Sequence, residues 1–351
     1  TYQAWYGISP DSLVVNRTYN PAGEYYDADG NVHYYNNQTD NYRQDYYQLH
    51  YSYAASSNLS LNAALHYTKG KGYYEEYKPA EAISGYIIDP SVMADSATMA
   101  IVTDLIRQKW LDNDFYGYTF SLNYDKDKLQ FTFGGAGNRY DARHYDQVTW
   151  TQDPAGFSYP HIYNDNDAVK DDINFFARAM YSATAKLHLF ADVQYRTVSY
   201  SFVGFGDDFL LGDQKVSHSF VNPKGGISYD INSKNKIYAS VAVGNKEPMR
   251  DDYTDSRPSS YPKAESMTDA EVGYKFSGDH IRFGINFYSM KYKDQLILTG
   301  KLNDVGAYTR INVPDSYRKG MEVEAAWNIV NNLSWTASIT FSQNKIKTFD
   351  E

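Results

Sequence analysis

The chain has 351 residues, with 36 tyrosines, 17 phenylalanines, no cysteine and a formal net charge of −10. The missing cysteines exclude disulfides and thiolate metal sites, and the acidic balance argues against a nucleic-acid-binding surface. Aromatic residues at this level favour extended structure, because they fit a pleated, half-buried surface.

In chain order, Thr1 to Ile8 is expected as a strand, and a long polar segment follows from Ser9 to Asn41. Within it Asp27-Ala28-Asp29-Gly30-Asn31 resembles a calcium loop but lacks the downstream Glu of an EF-hand. An Asp-Gly hairpin turn is the simpler reading. Tyr42 to Ala54 alternates as a strand and turns at Ser56-Ser57-Asn58. Leu59, Leu61, Ala63, Leu65 and Tyr67 then alternate with polar or small residues.

A second long segment runs from Lys69 to Asp114. Met99, Val102, Ile106 and Trp110 have helical spacing, which predicts one helix over Ser91 to Leu111. Phe115 to Tyr124 and Leu129 to Tyr140 form a hairpin around Asp125-Lys126-Asp127-Lys128, followed by a polar segment from Asp141 to Lys170. Asp172 to Tyr181 pairs with Lys186 to Val203, and a Gly/Asp-rich loop spans Gly204 to Lys215. Ser217 to Ile231 pairs with Lys236 to Gly244 before the polar segment Asn245 to Glu265. Ser266 to Phe276 pairs with Ile281 to Lys293, and a shorter excursion lies near Gly300 to Ala307.

The clearest hairpin comes last. Met321, Val323, Ala325, Trp327 and Ile329 share one face, and Leu333, Trp335, Ala337, Ile339 and Phe341 repeat the pattern after Asn331-Asn332.

Two regularities set the fold class. Connections alternate between very short and long, so one end of an up-and-down sheet carries only tight turns. That is the build of a membrane β-barrel with short periplasmic turns and long extracellular loops. The apolar face also places an aromatic just before many short turns: Tyr53, Tyr124, Tyr181, Tyr229, Tyr274 and Trp327. The opposite face carries His188, Asp192, Arg196, Asp269, Glu271, Glu322 and Glu324, which do not suit a dry core. A mean hydropathy of −0.62 is compatible with a membrane barrel, whose strands are only half apolar. The soluble alternative, a propeller or solenoid, requires a regular repeat that is not seen. The reading is all-β: a transmembrane antiparallel up-and-down β-barrel with a multi-pass lipid-facing wall.

Several stretches then resemble one family. Asn222-Pro223-Lys224-Gly225-Gly226-Ile227-Ser228-Tyr229, Asn245-Lys246-Glu247-Pro248 and Asp269-Ala270-Glu271-Val272-Gly273-Tyr274-Lys275 are similar to barrel strands of TonB-dependent outer-membrane receptors. So are Asn286 to Leu296 and Ser316 to Glu322, while Arg107 to Gly117 resembles receptors of Bacteroides-type bacteria. The resemblance implies a bacterial outer-membrane importer energised by the TonB complex through an N-terminal plug. It implies a scarce nutrient as cargo, an iron-siderophore-type chelate first, with glycan, haem or cobalamin as alternatives. Strand directions give about 13 strands, where plugged transporters have about 22. The chain is therefore expected to be the β-barrel fragment of such a receptor over residues 1–351, without the plug and its TonB box and without the C-terminal strands.

Enzymatic signatures are weak. No His-Glu-x-x-His occurs, and Gly134-Gly135-Ala136-Gly137 has no following helix, so it reads as a packing or bulge feature. No catalytic residue, metal site or cofactor is expected. A barrel hydrolase requires a Ser-His constellation on the wall, which sequence cannot show; an adhesin or a barrel with a lipoprotein partner is a third class. Ligand candidates lie in the long loops: Trp110, His144, Trp150, His161, Arg250, Tyr253, Arg257 and Tyr261. Aromatics with arginine suit an anionic or catecholate chelate through stacking and charge.

Overall fold

A computed structural model describes residues 9–19, 21–86, 101–153, 158–203, 213–254, 261–302 and 308–347. The predicted strand at Thr1 to Ile8 and most of the Gly204 to Lys215 loop lie outside these residues. Twelve strands form one antiparallel sheet in sequence order: β3 (Asp40–Ser56), β4 (Leu59–Ala82), β5 (Val102–Lys126), β6 (Leu129–Thr151), β7 (His161–Ser182), β8 (Leu187–Val203), β9 (Asp213–Asn232), β10 (Asn235–Lys246), β11 (Glu265–Ser277), β12 (Ile281–Leu302), β13 (Tyr308–Val330) and β14 (Leu333–Ile346). The edge strands are β3 and β14. A separate hairpin joins β1 (Glu24–Tyr26) to β2 (Val32–Tyr34). Short helices are α1 (Pro10–Val15) and α2 (Arg250–Thr254), with a 3₁₀ turn at Ile83–Tyr86. Among the described residues no helix is long and apolar enough to cross a membrane.

The hairpin reading of Asp27 to Asn31 holds. The Asp27 carboxylate accepts the Asn31 and Asp29 amides at 2.8 and 3.0 Å and lies 2.8 Å from His33 Nε2. Gly30 takes the left-handed conformation at φ 82°. This carboxylate is occupied by its own turn.

The predicted helix is a correction. Residues 87–100 are outside the described set, and Val102 to Leu111 is strand β5. Leu105 is fully buried, and the alternating partners of Arg107 and Gln108 follow period two. Ladder pairing overrides a local 3.6-residue stripe. The same effect shortens two long segments. Most of Lys69 to Asp114 and Asp141 to Lys170 continues the strands, with β4 reaching Ala82, β5 starting at Val102, β6 reaching Thr151 and β7 starting at His161. Polarity marked contact with water there, and a paired backbone needs no apolar side chains to remain extended.

The chain divides into two compact units. The first comprises Thr1–Gln48, His66–Tyr116 and Arg139–Lys170. Its small core is Ile83, Tyr86, Leu105 and Val148, with Ile101 and Tyr163 packed against it.

The second comprises Leu49–Leu65, Gly117–Asn138 and Asp171–Glu351. Here register is continuous across seven strands. Leu187, Tyr229, Ile237, Tyr274, Ile285, Val323 and Ile339 form one row of direct neighbours. Leu189, Ile227, Ala239, Val272, Phe287, Met321 and Phe341 form the next row on that face. Val193 is 46 % exposed, Ile339 54 % and Phe341 60 %, whereas Asp192 and Asn222 on the other face are 6 % and 8 % exposed. A soluble protein hides the first set and wets the second; this sheet does the reverse.

The tight turns of this unit lie side by side. The amides of Asp125, Ser182, Asp230, Ser277 and Asn328 donate to the carbonyls of Asn58, Lys128, Lys186, Lys234 and His280 at 2.8–2.9 Å. Each bond ties one turn to the next.

Candidate functional site

In the second unit, the β8–β9 register sets Phe220 opposite Arg196 and His218 opposite Val198. Residues two apart on a strand share a face, so His218 and Phe220 stack at 5.8 Å with 6° between rings. Helix α2 delivers Tyr253 onto them. Its hydroxyl lies 2.7 Å from His218 Nε2, and its ring meets Phe202 at 5.9 Å and Tyr261 edge-on at 5.4 Å. Tyr253 is 2 % exposed. Burial lowers the His218 pKa, against a smaller upward pull from Glu247, and burial raises that of Tyr253.

The α2 segment is held at both ends. Arg196 donates to Asp172 at 2.7 and 3.1 Å and to Glu247 at 2.8 and 2.9 Å, using both edges of its fork. Asp252 accepts the Met249 amide at 2.7 Å and a longer contact from Arg310 at 3.4 Å. Beyond α2, the Lys263 amide donates to Asn312 Oδ1 at 2.7 Å.

The first unit has its own polar centre. Arg107 Nε and Nη2 both lie 2.8 Å from Glu76 Oε2. Tyr86 and Tyr163 meet edge-on at 4.8 Å, and Asn164 donates to Asp146 at 3.1 Å. Burial raises the Asp146 carboxyl, pushes Tyr86 to about 12 and drives Tyr163 higher. Nearby, Trp110 is stacked on Tyr145 at 5.7 Å and tilted against Tyr73 at 4.5 Å, with its indole N–H on Gln108 at 3.0 Å.

The eight predicted ligand residues therefore separate. Tyr253 and Tyr261 meet, and Arg250 lies on the same short helix. Trp110 is packed among its own neighbours; His161 Nε2 sits 2.7 Å from the Tyr86 carbonyl; His144 is half-buried and Trp150 exposed, both on β6. Arg257 lies outside the described residues. Sequence reading missed His218, Phe202 and Phe220 as a cluster, and missed the Arg107–Glu76 pair. The spacing of His218 and Phe220 on one strand face was the available signal.

One Ser-His arrangement does occur. Ser182 Oγ lies 3.1 Å from His188 Nδ1, and His188 Nε2 lies 3.0 Å from Asp230. Lys236 also holds Asp230, at 3.3 Å, and the Ser182 and Asp230 amides are spent on inter-turn bonds. Hydroxyl, ring and carboxylate are thus part of the hydrogen bonding between neighbouring tight turns, and the arrangement reads as turn bracing. Among the described residues no group of three metal-ligating side chains is assembled.

An up-and-down sheet with an exposed apolar face, a polar opposite face and tight turns along one edge defines the wall of a transmembrane β-barrel. Residues 1–350 match the model of the TonB dependent receptor-like β-barrel family, and the chain belongs to that family of bacterial outer-membrane transport receptors. Solved structures with the same fold include the copper transporter OprC, at TM-score 0.66 and 13 % identity over 87 % of this chain and 46 % of that one. They also include the ferric-catecholate import receptor Fiu from E. coli K12, at 0.56 and 12 % over 92 % and 50 %. A third is the siderophore receptor PiuA from Acinetobacter baumannii, at 0.56 and 13 % over 88 % and 48 %. The chain spans about half the length of these structures. No curated protein matches it.

Proposed function

We propose that this chain is barrel wall from an outer-membrane active-transport receptor for an iron-siderophore-type chelate, energised through TonB. The plug that engages TonB, and further strands, would belong to the longer receptor. The observation that carries the reading is the anchored α2 segment. Tyr253 of α2 packs on Phe202 and His218, while Arg250 on the same helix and Tyr261 flank this anchor. Arg250, Arg257 and Tyr261 would offer charge and an aromatic face to an anionic chelate. Tyr253, at 2 % exposure, is reassigned from ligand contact to anchor. The siderophore and ferric-catecholate receptors among the related folds support the substrate class by analogy.

Deleting the gene and supplying labelled ferric catecholate, ferric citrate, haem, cobalamin or an oligosaccharide tests this. Loss of uptake of a ferric chelate alone, reproduced by deleting TonB, is the expected result. Loss confined to an oligosaccharide would replace the substrate class.

A further inference from the structure

We infer that the tight-turn edge of the second unit is a docking surface for the headgroups of anionic glycerophospholipids. The inference rests on the outer-membrane reading above. Three lysines carry it, one from every tight turn between β5 and β10. Lys128 Nζ donates to the Ala183 carbonyl of the next turn at 3.3 Å. Lys186 Nζ donates to the Ile231 carbonyl, again in the next turn, at 3.2 Å. Lys234 Nζ reaches Asp279 in the turn after that, at 3.2 Å.

The repetition fixes where the charges sit. Each ammonium is held between two neighbouring turns, so successive ammoniums are separated by two strands, or about 10 Å. All three lysines are exposed. An ammonium has three N–H donors, and each of these shows one bond to the next turn. The remaining donors suit phosphate oxygens, which accept strongly from cations. Acidic groups share the edge: Asp279 is held by Lys234 and Asp230 by His188 and Lys236, while Asp125 accepts from Gln130 at 3.3 Å and Asp127 lies exposed beside Lys128. With Lys126 and Lys236 beside the three, five lysines stand against these four carboxylates, so the edge is basic by one charge in a chain whose net charge is −10.

Continuity with the lipid-facing band selects the occupant. On the apolar face the rungs close to the tight turns carry Tyr229, Tyr274 and, at the β13–β14 turn, the directly paired Trp327 and Trp335, the latter two 46 % and 51 % exposed. Tyrosine and tryptophan settle at the headgroup boundary. Lysines one turn beyond that boundary stand at phosphate depth, where basic residues attract anionic lipid. A free phosphate would gain nothing from the neighbouring aromatic rungs; a glycerophospholipid uses both.

The test uses the natural full-length receptor in lipid nanodiscs, with native mass spectrometry of retained lipid. Insertion into discs reports on the membrane reading, and headgroup selectivity reports on this one. Phosphatidylglycerol should be retained several-fold over phosphatidylcholine, and Lys128→Gln/Lys186→Gln/Lys234→Gln should abolish that preference. The triple Arg variant should keep it, and Lys263→Gln/Lys347→Gln should leave it unchanged. If the triple Gln variant fails to fold, raising salt on the wild-type protein should erase the preference instead. Equal retention of both lipids by the inserted wild-type protein would overturn the inference. Displacement of phosphatidylglycerol by equimolar inorganic phosphate would overturn it as well, pointing to a phosphate site.

Discussion

The ring of Tyr238 lies across Gly273, its direct neighbour on the adjacent strand. A Cβ built on Gly273 would stand 2.4 Å from the Tyr238 ring and hydroxyl. The hydroxyl continues to Asn286 Oδ1 at 3.0 Å, one strand further on. Tyr288 covers Gly320 in the same way. Gly273→Ala should therefore destabilise the sheet by about 1–3 kcal/mol through overpacking. Combining it with Tyr238→Ala should give less than the sum of the single costs, since the clash is removed. Thermal unfolding of the four proteins in detergent measures both effects.

Arg196→Ala should leave Asp172 and Glu247 facing each other without their cation. Removing one partner of a buried pair typically costs about 3–5 kcal/mol. These groups retain some exposure, so a loss of about 2–4 kcal/mol is expected. Protease sensitivity near Glu247 should rise together with the fall in melting temperature. Arg196→Lys should recover only part of the loss, because an ammonium does not fork to two carboxylates.

His218 predicts a pH response at α2. Its folded pKa lies below the unfolded value near 6.5 because burial against Phe220 and Tyr253 disfavours the cation. The unfolded ring takes up a proton first as pH falls. Stability is therefore complete above about 6.5 and is lost below it, levelling off once the folded ring also protonates. The hydrogen-exchange protection factor at residues 250–254, taken against the intrinsic amide rate at each pH, should fall between pH 7 and 5, and His218→Gln should flatten that dependence. An unchanged protection factor across this range in the wild-type protein would count against the role of His218.

On the apolar face, Val193→Arg or Ile285→Arg should cost about 2–4 kcal/mol of folding free energy in a bilayer, as lipid-facing arginines do near the midplane. Ser240→Arg, on the opposite face and directly beside Glu271, should cost far less. Folding titrations into lipid vesicles distinguish the two classes. Equal costs would show that both faces meet the same medium.

Much of the architecture was legible because period-two alternation is a property of consecutive residues. Met321 to Ile329 and Leu333 to Phe341 declared their hairpin without a neighbour in view, and the structure pairs Trp327 with Trp335 across it. The helix expected over Ser91 to Leu111 failed from Val102 onward because its spacing was local, whereas Arg107 and Leu105 are fixed by partners far away in sequence, such as Glu76 and Val148. Candidate site residues were harder. Tyr253 was singled out as a loop aromatic, but its burial depends on His218 and Phe202, contributed by strands 35 and 51 positions earlier in the numbering. Nothing in the residues around Tyr253 announces those partners. His218 was overlooked for the converse reason: one polar residue on an alternating strand resembles every other until something packs on it.

The unbroken rows running from Leu187 to Ile339 make the tight turns counting devices. Adding or deleting one residue at Asn331 or Lys234 shifts every later side chain on that strand by one place and exchanges its oily and wet faces. The same change between Glu247 and Glu265 is absorbed before the next strand begins. Natural relatives should therefore vary freely in the length of the long connections while keeping the short ones at constant length. A library of single-codon insertions would be read by the membrane as two populations, one tolerated and one rejected, with the dividing line at the ends of the strands.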